Sequence, residues 1–592
     1  MILNALVRYY EDLAQQGTLS PQGWVRTKVS FALNLSPSGE LLGLIPLMQE
    51  VQRGKKTVEI PQEFNLPQPV KRTVGIASNF LWDNATYLLG LDSKGRPQRT
   101  LDCFSNCREL HIRLLDPVDS PAARAVKAFF FNWQPECIAG HPALAPYLEE
   151  LSKGGNLIFL VDGMEFAHDD PDIRRAWDRT LTSDGDAPVL RCLVTGEQAP
   201  IARLHPSIKG VKGGQPTGTS LVSFNAPSFE SYGHEQGLNA PVGEYAAFAY
   251  TAALNYLVAD SAHCKQIGEM TVVYWAQGAD PSYQDAFSGA FDPSSSAVDD
   301  ALLDGLFTKI AGGRAPNLEA LERLDMSTPF YILGLAPNAS RLSVRFFLRG
   351  EFGGFLRNLK AHYDRLDIAR APYERAYLSA FALLREVVNP NAREKNPPGP
   401  MSSSLLRAIL TDTYYPQSLV NGVMLRIRAE QDNDEKHIRK ISRGRAAILK
   451  AWLLKNKPNL SAKEALTVSL NESCNSLPYV LGRIFSVLES VQKKANPKLN
   501  ATIKDRYFNS ASTTPATVFP VLLRLSNAHI HKLRGKKADE YENRLGSLMN
   551  RIEMNEHPYP ARLTLEEQGI FILGYYHQTQ VLKNETEDVE NG

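Results

Sequence analysis

The sequence predicts an α+β, multidomain protein, with a mixed α/β N-terminal region containing a sheet and long loops, and an all-helical bundle at the C-terminus. Three observations carry this. Short apolar runs bounded by turn residues recur as far as Leu348. Asn389–Ser404, NPNAREKNPPGPMSSS, has the composition of a linker. Beyond it, helical periodicity takes over from Leu405 to about Val581. The implied divisions are an N-terminal α+β region over 1–388, a linker over 389–404, a basic helical region over 405–469 and a helical bundle over 470–592.

Met1–Gln16 reads as an amphipathic helix, because Arg8, Glu11 and Asp12 interrupt Ile2, Leu3, Leu6, Val7 and Leu13; a signal peptide would have an uncharged core. Val29–Leu35 and Leu41–Leu47, joined by Ser36-Pro37-Ser38-Gly39-Glu40, read as a hairpin. Asn156–Val161 reads as a buried strand, Pro171–Arg179 as a short helix with proline in its first turn, and Val189–Val194 as a strand. Arg203–Pro241 is turn-rich, with nine glycines and prolines between Pro206 and Gly237. Glu244–Ala259 is helix-compatible throughout, and Met270–Trp275 reads as a buried strand. Gly278–Ser295, polar and rich in Gly, Ser and Pro, reads as an exposed loop. Asp299–Ile310 reads as a helix whose acidic first turn suits its dipole. Phe330–Leu335 and Leu342–Leu348 are strands, the second with Leu342, Val344, Phe346 and Leu348 on one face and Arg341, Arg345 and Arg349 on the other. The closing ETEDVENG reads as a disordered acidic tail.

A hydrophobic content of 43% suffices for a sizeable core and excludes wholesale disorder. The 65 Lys and Arg almost balance the 64 Asp and Glu, so any nucleic-acid surface must be a local patch. Six cysteines in a chain this long imply no disulfide framework. Cys103, Cys107 and His111 could share a helical face, but no fourth ligand lies close, and buried thiols are the alternative to zinc. No metal or cofactor is assigned. No apolar run approaches the ~18 residues of a spanning helix, so the expected location is the cytoplasm, with no membrane partner.

The catalytic inventory is thin, and no enzyme is expected. H-E-x-x-H, G-x-S-x-G and paired C-x-x-C are absent, and Asp169-Asp170 and Asp299-Asp300 stand where helix caps belong. Gly213–Ser220, GGQPTGTS, mimics a phosphate-binding loop, but Thr219 replaces the essential lysine and Pro216 removes a cradling N–H. It is either a plain structural loop or one that comes close to a nucleic-acid backbone. From Lys436 to Lys463 there are nine Lys or Arg and no acid. If helical, Lys436, Arg439, Lys440 and Arg443 share a face opposite Ile438, Ile441, Ile448 and Trp452, with Arg445 following; a single-sign face favours phosphate contact over a merely solvated surface. Gly75–Gly90 mixes Phe80, Trp82 and Tyr87 with Asn79 and Asn84, after Lys71 and Arg72. Amides can read base edges and cations can hold phosphates; a core strand with polar caps is the alternative.

Several long blocks resemble one family. They are LVTGEQAPIARLHPSIKGVKGGQPTGTSLVSFNAPSFESYGHEQGLNAPVGEYAAFAYTAALNYL, GIASNFLWDNATYLLG, FYILGLAPNASRLSVRFF, LGRIFSVLESVQKKANPKLNATIKDRYFNSASTTPATVFP and FILGYYHQTQ. In their order along the chain they resemble the large subunit of the type I-C CRISPR surveillance complex, Cascade, from Met1 to about Val581. The resemblance implies a subunit at one end of a crRNA-bearing complex. Such a subunit recognises the short motif (PAM) flanking the target in double-stranded DNA, helps open the duplex into an R-loop and supports recruitment of a helicase–nuclease. The implied partners are crRNA, target duplex, the Cascade backbone subunits, a crRNA-end-binding subunit, and a small subunit made from the same gene by an internal start near Leu470. On this reading the Gly213–Ser220 loop enters the PAM groove. Gln215 is wedge or base reader beside Gly213 and Gly214, Lys209 and Lys212 hold phosphates, and Asn225 is a further candidate, as are Lys71, Arg72, Asn79 and Asn84. Arg341, Arg345, Arg349, Lys436, Arg439, Lys440, Arg443 and Arg445 would hold nucleic-acid backbone. The rival readings are a crRNA-processing nuclease and a structural scaffold without base readout.

Overall fold

The computed structural model describes residues 2–53, 56–70, 75–163, 165–181, 187–293, 300–310, 323–497, 499–533, 535–553 and 556–591. The chain divides into two compact units, Met1–Pro206 with Ser223–Ala253, and Ser207–Val222 with Leu254–Gly592. The divisions expected from composition, at 388/389, 404/405 and 469/470, do not coincide with this one.

In the first unit, α1 (Ile2–Gln15) precedes β1 (Trp24–Val29), β2 (Phe31–Leu35), β3 (Leu41–Pro46), β4 (Met48–Arg53), β5 (Lys56–Pro67) and β6 (Trp82–Asp83). The helices α2 (Ala85–Leu88), α3 (Pro97–Leu115), α4 (Pro121–Asn132) and α5 (Leu148–Lys153) lead to β7 (Leu157–Val161) and β8 (Glu165–Phe166). Then come α6 (Pro171–Leu181), β9 (Val189–Arg191), β10 (Gln198–Pro200) and α7 (Glu244–Ala259), whose end from Leu254 belongs to the second unit. One sheet has the order β3-β2-β7-β6 and another β1-β5-β4. The parallel β2/β7 pair is joined by a long connection of strands β3 to β6 and helices α2 to α5, and both of its faces are covered. Along β7, Leu157, Phe159 and Val161 join the helix-side core, while Ile158 and Leu160 join a smaller cluster with Val29, Leu66 and Trp82. That is why this strand reads as one apolar run. The β2–β3 hairpin forms as expected, and its turn needs Gly39: φ is +83°, and a Cβ there would lie 2.4 Å from the Phe129 backbone nitrogen.

The second unit carries β11 (Cys264–Ile267), β12 (Met270–Ala276), α8 (Pro281–Phe291), α9 (Asp300–Ile310), β13 (Pro329–Asn338) and β14 (Arg341–Glu351). The four strands form a meander in sequence order. Helices follow: α10 (Phe352–Leu366), α11 (Ala380–Arg385), α12 (Gly399–Leu410), α13 (Gln417–Ala429), α14 (Arg443–Asn456), α15 (Leu477–Ala495), α16 (Ile503–Thr513), α17 (Pro515–Ile530), α18 (Lys536–Met549) and α19 (Leu565–Asn591). One apolar core runs from Ile267 on the sheet to Tyr576 on α19. Among the described residues no helix is long and apolar enough to cross a membrane.

Four expectations are corrected here. Gly278–Ser295 is not a loop over its described part, because Asp280 caps α8, Pro281 fills its first turn, and Tyr283, Phe287 and Phe291, four residues apart, are buried on one face. The linker already turns helical at Gly399. Residues 430–442 are not helical: Asn433 and Ile438 close a short bridge, and α14 starts only after its cap Ser442. The acidic tail continues α19 to Asn591, with Glu585 held by two bonds from the Arg544 guanidinium at 2.9 and 3.0 Å.

Candidate nucleic-acid interface

The Ser207–Val222 segment folds as a narrow loop built from its turn residues. Ile208 and Thr219 exchange both backbone bonds at 2.8 Å and close its base. Val211-Lys212-Gly213-Gly214 is one turn, closed from the Gly214 N–H to the Val211 carbonyl at 3.0 Å, with Gly213 at φ +79°. Gln215-Pro216-Thr217-Gly218 is a second, closed at 2.9 Å, with proline at the position that its fixed φ favours. Gly218 is obligatory, since φ is +108° and a Cβ would lie 2.6 Å from that of Ser207. Asn255 on α7 clamps the base, accepting from the Lys209 N–H at 2.8 Å and donating to the Ser207 carbonyl at 3.2 Å. Ile208, Val211 and Thr219 are buried, while Lys209, Lys212, Gly213 and Gln215 are exposed. Thr219, in the place of a phosphate-binding lysine, bonds the Ile208 carbonyl through its own hydroxyl.

The loop docks on the β13–β14 hairpin. The Ser220 N–H donates to the Ser340 carbonyl at 3.0 Å, the Leu342 N–H to the Ser220 carbonyl at 2.9 Å, and Gly213 lies so near Pro337 that a Cβ would be 3.2 Å from its ring. Residues some 120 apart in sequence, the lysine-bearing loop and the arginine strand, are thus hydrogen-bonded together. On β14, Arg345 is the extra residue of a bulge, between Val344 opposite Leu335 and Phe346 opposite Gly334. The bulge breaks the expected alternation: Leu342 and Phe346 are buried, but Val344 is 40% exposed. Arg345 pairs with Glu269 at 3.5 Å, Arg341 is half-buried, and Arg349 is exposed. This surface offers exposed cations, an exposed amide and a glycine-rich backbone. It can hold phosphates and approach a groove closely.

The other candidates are placed differently. Lys71 and Arg72 lie outside the described residues, and Asn225 belongs to the first unit. Asn79 is buried and its side-chain oxygen accepts from the Val70 N–H at 3.1 Å; Asn84 caps α2, accepting from the Thr86 N–H at 3.0 Å. Both amides serve the fold, as polar caps. His111 explains the neighbouring backbone. Its Nε2 accepts from the N–H of Leu81, a residue at φ +65°, at 2.8 Å, and its Nδ1 lies 2.8 Å from the Cys107 carbonyl, which fixes the neutral tautomer. Burial pushes the imidazole down to about 4. Cys103, Cys107 and His111 are packed in the core, and among the described residues no group of three or more His, Cys, Asp or Glu is arranged to hold a metal.

The basic run is mostly turned inward. The Arg445 guanidinium is buried, 2.6 Å from Glu430 and 3.3 Å from Glu386, and donates to the carbonyls of Glu386, Arg439 and Lys440. The Lys440 ammonium is buried against the Glu430 carbonyl at 3.0 Å, and burial holds it below the ordinary lysine value. Arg443 donates to the carbonyls of Arg375 and Ala376 at 2.7 and 2.8 Å. Only Lys436 and Arg439 of the five keep an exposed side chain, Arg439 paired with Asp434. The single-sign face is corrected accordingly. The acids that neutralise it are Glu430 and Glu386 at Arg445, Asp434 at Arg439 and Glu374 at Arg443.

No curated protein matches the sequence significantly. The family model described as CRISPR-associated protein (Cas_Csd1) matches residues 6–583. With nearly its whole length matched, from α1 through most of α19, the chain belongs to the Cas_Csd1 family of CRISPR-associated proteins, the large-subunit family of the type I-C Cascade complex.

Proposed function

We propose that this large subunit is a binding and assembly protein rather than an enzyme, and that it reads the PAM in double-stranded target DNA through the Ser207–Val222 loop. The observation that supports this is the loop itself. It presents Lys209, Lys212 and Gln215 to solvent on a base tied by the Ile208–Thr219 bridge and Asn255, and it lies against the strand of Arg341, Arg345 and Arg349. A pinned loop loses little entropy on binding, and its glycines let the backbone approach a groove. The lysines hold phosphates, which positions the loop, and Gln215 reads base edges or wedges the first opened pair. Strand exchange between guide and target is nearly balanced in energy, so a few such contacts can tip it. The subunit would then hold the opened strands and support arrival of the helicase–nuclease, in a complex with crRNA, the backbone subunits, the crRNA-end-binding subunit and the small subunit.

The test is Lys212→Ala with Gln215→Ala in the assembled, crRNA-loaded complex. Discrimination between PAM-bearing and PAM-free duplex should drop by about tenfold or more, the order of one lost base contact. Unchanged discrimination would sink the assignment of the loop.

A further inference from the structure

A second basic site lies within the second unit, where part of the basic run meets the C-terminal helices. A cleft of about 660 Å³ is lined by Arg439 and Arg443, by Lys493 and Lys494 at the end of α15, and by Lys583 on α19, against the two carboxylates of Glu374 and Glu489. Each carboxylate is engaged by one of these cations. Glu489 accepts from the Tyr575 hydroxyl at 2.6 Å and pairs with Lys493 at 2.6 Å and Lys504 at 3.7 Å; Glu374 is 3.9 Å from Arg443. Lys494 sits over the Tyr541 ring at 5.8 Å, and Lys583 pairs with no carboxylate among the described residues. Arg439 is paired with Asp434, so Lys494 and Lys583 are the two cations of this cleft left without a carboxylate partner among the described residues, and an anion would relieve them. The Lys583 ammonium is accordingly held below the ordinary lysine value, by desolvation first and by Arg439, Lys504 and Lys493 next, although the residue as a whole is exposed. The volume suits a ligand larger than a simple ion. Tyr373 adds the second half of a recognition site: it lines the same cleft and is 88% exposed, an aromatic face left to solvent beside the cations.

We propose that this cleft binds a nucleotide unit, its phosphates on Lys494 and Lys583 and its base stacked on Tyr373. The chemistry is shared by a free nucleoside triphosphate and by single-stranded nucleic acid. The site is independent of the Ser207–Val222 loop, and a failed PAM test leaves it standing.

The experiment uses the purified full chain at low salt, with three probes: inorganic tripolyphosphate, ATP, and a labelled ten-nucleotide single-stranded DNA. ATP or the single strand should bind saturably, and which of them does so identifies the source. Lys494→Gln with Lys583→Gln should weaken that binding by about tenfold or more, while Lys94→Gln with Lys153→Gln leaves it unchanged. Tyr373→Ala should weaken binding of ATP or the strand by about tenfold without altering binding of tripolyphosphate. Both lysines are exposed, so an unchanged thermal midpoint shows that the variant is folded. Equal binding of every probe by native and Lys494/Lys583 protein, or saturable binding of none, overturns the phosphate site. A Tyr373→Ala chain that binds ATP and the strand like the native one overturns the stacking.

Discussion

At the scale of single residues, burial decides what a charge is for. Arg445 and Arg349 look alike in sequence, yet one is locked between Glu430 and Glu386 and the other is exposed. Removing one partner of a buried pair leaves an uncompensated charge, so Arg445→Ala should cost about 3–5 kcal/mol in urea denaturation. Arg349→Ala should stay within about 0.5 kcal/mol. An equal and small loss for both would contradict the inward placement of Arg445. Histidine follows the same rule. Burial lowers His111 and His168 to about 4 and His577 to about 4, from an unfolded value of 6.5. The unfolded chain therefore binds more protons between those values. Stability is fully present above pH 6.5 and is lost as pH falls toward 4. The urea midpoint should fall from pH 7 to pH 5, and His111→Leu should lower the midpoint at pH 7 while making that fall shallower. A variant as steep as the native chain would refute the burial argument for His111. The sequence shows which residues can titrate or pair; it does not show that Glu386 comes back to meet Arg445, because that partner is set by tertiary folding.

Elements were legible where their own residues decide them. α7 and β12 follow from local pattern, and α6 from Pro171 in its first turn and Asp170, which accepts from the Asp172 and Ile173 N–H groups. The errors fell where composition and periodicity disagree. α8 has the glycine, serine and proline of a loop, but its aromatic spacing of four is the signal that packing uses. Residues 430–442 have a helical stripe of isoleucines, but side-chain and backbone bonds to Asp432 and Asn433 win locally. The α15–α19 pair shows a constraint with a clear trace in sequence. Gly482 and Gly574 let two backbones touch: a Cβ on Gly482 would lie 2.0 Å from the Phe571 carbonyl oxygen, and one on Gly574 would lie 2.2 Å from that of Tyr479. Neither neighbour is a flexible side chain that can give way. Gly574→Ala should therefore destabilise the chain by about 1–3 kcal/mol despite alanine's better helix propensity. A stabilised variant would mean that the helices sit farther apart than this.

At the scale of the whole molecule, a net charge of +1 leaves little long-range attraction for nucleic acid, so the proposed binding has to rest on a few placed cations. Linker composition at Asn389–Ser404 suggested a boundary, but one core joins the meander to the helices on both sides of it. Polar, proline-rich composition reports a surface course, not the edge of a folded body. The same holds for charge: the nine-cation run buries Lys440, Arg445 and Lys450, whereas the loop and strand that share a surface contribute their cations from distant positions. This distinction has a measurable consequence in the assembled complex. Each phosphate contact to duplex DNA contributes about 0.9 to the slope of log K against log salt. Neutralising Lys209, Lys212 and Arg349 to Gln should flatten that slope by about 2–3 and weaken PAM-bearing and PAM-free duplex alike. Gln215→Ala should leave the slope in place and reduce only the preference for PAM. If the triple variant keeps the native slope, the phosphates are held elsewhere and the loop–strand surface is not the interface. If Gln215→Ala flattens the slope as the lysines do, the amide acts by positioning the loop rather than by reading the base.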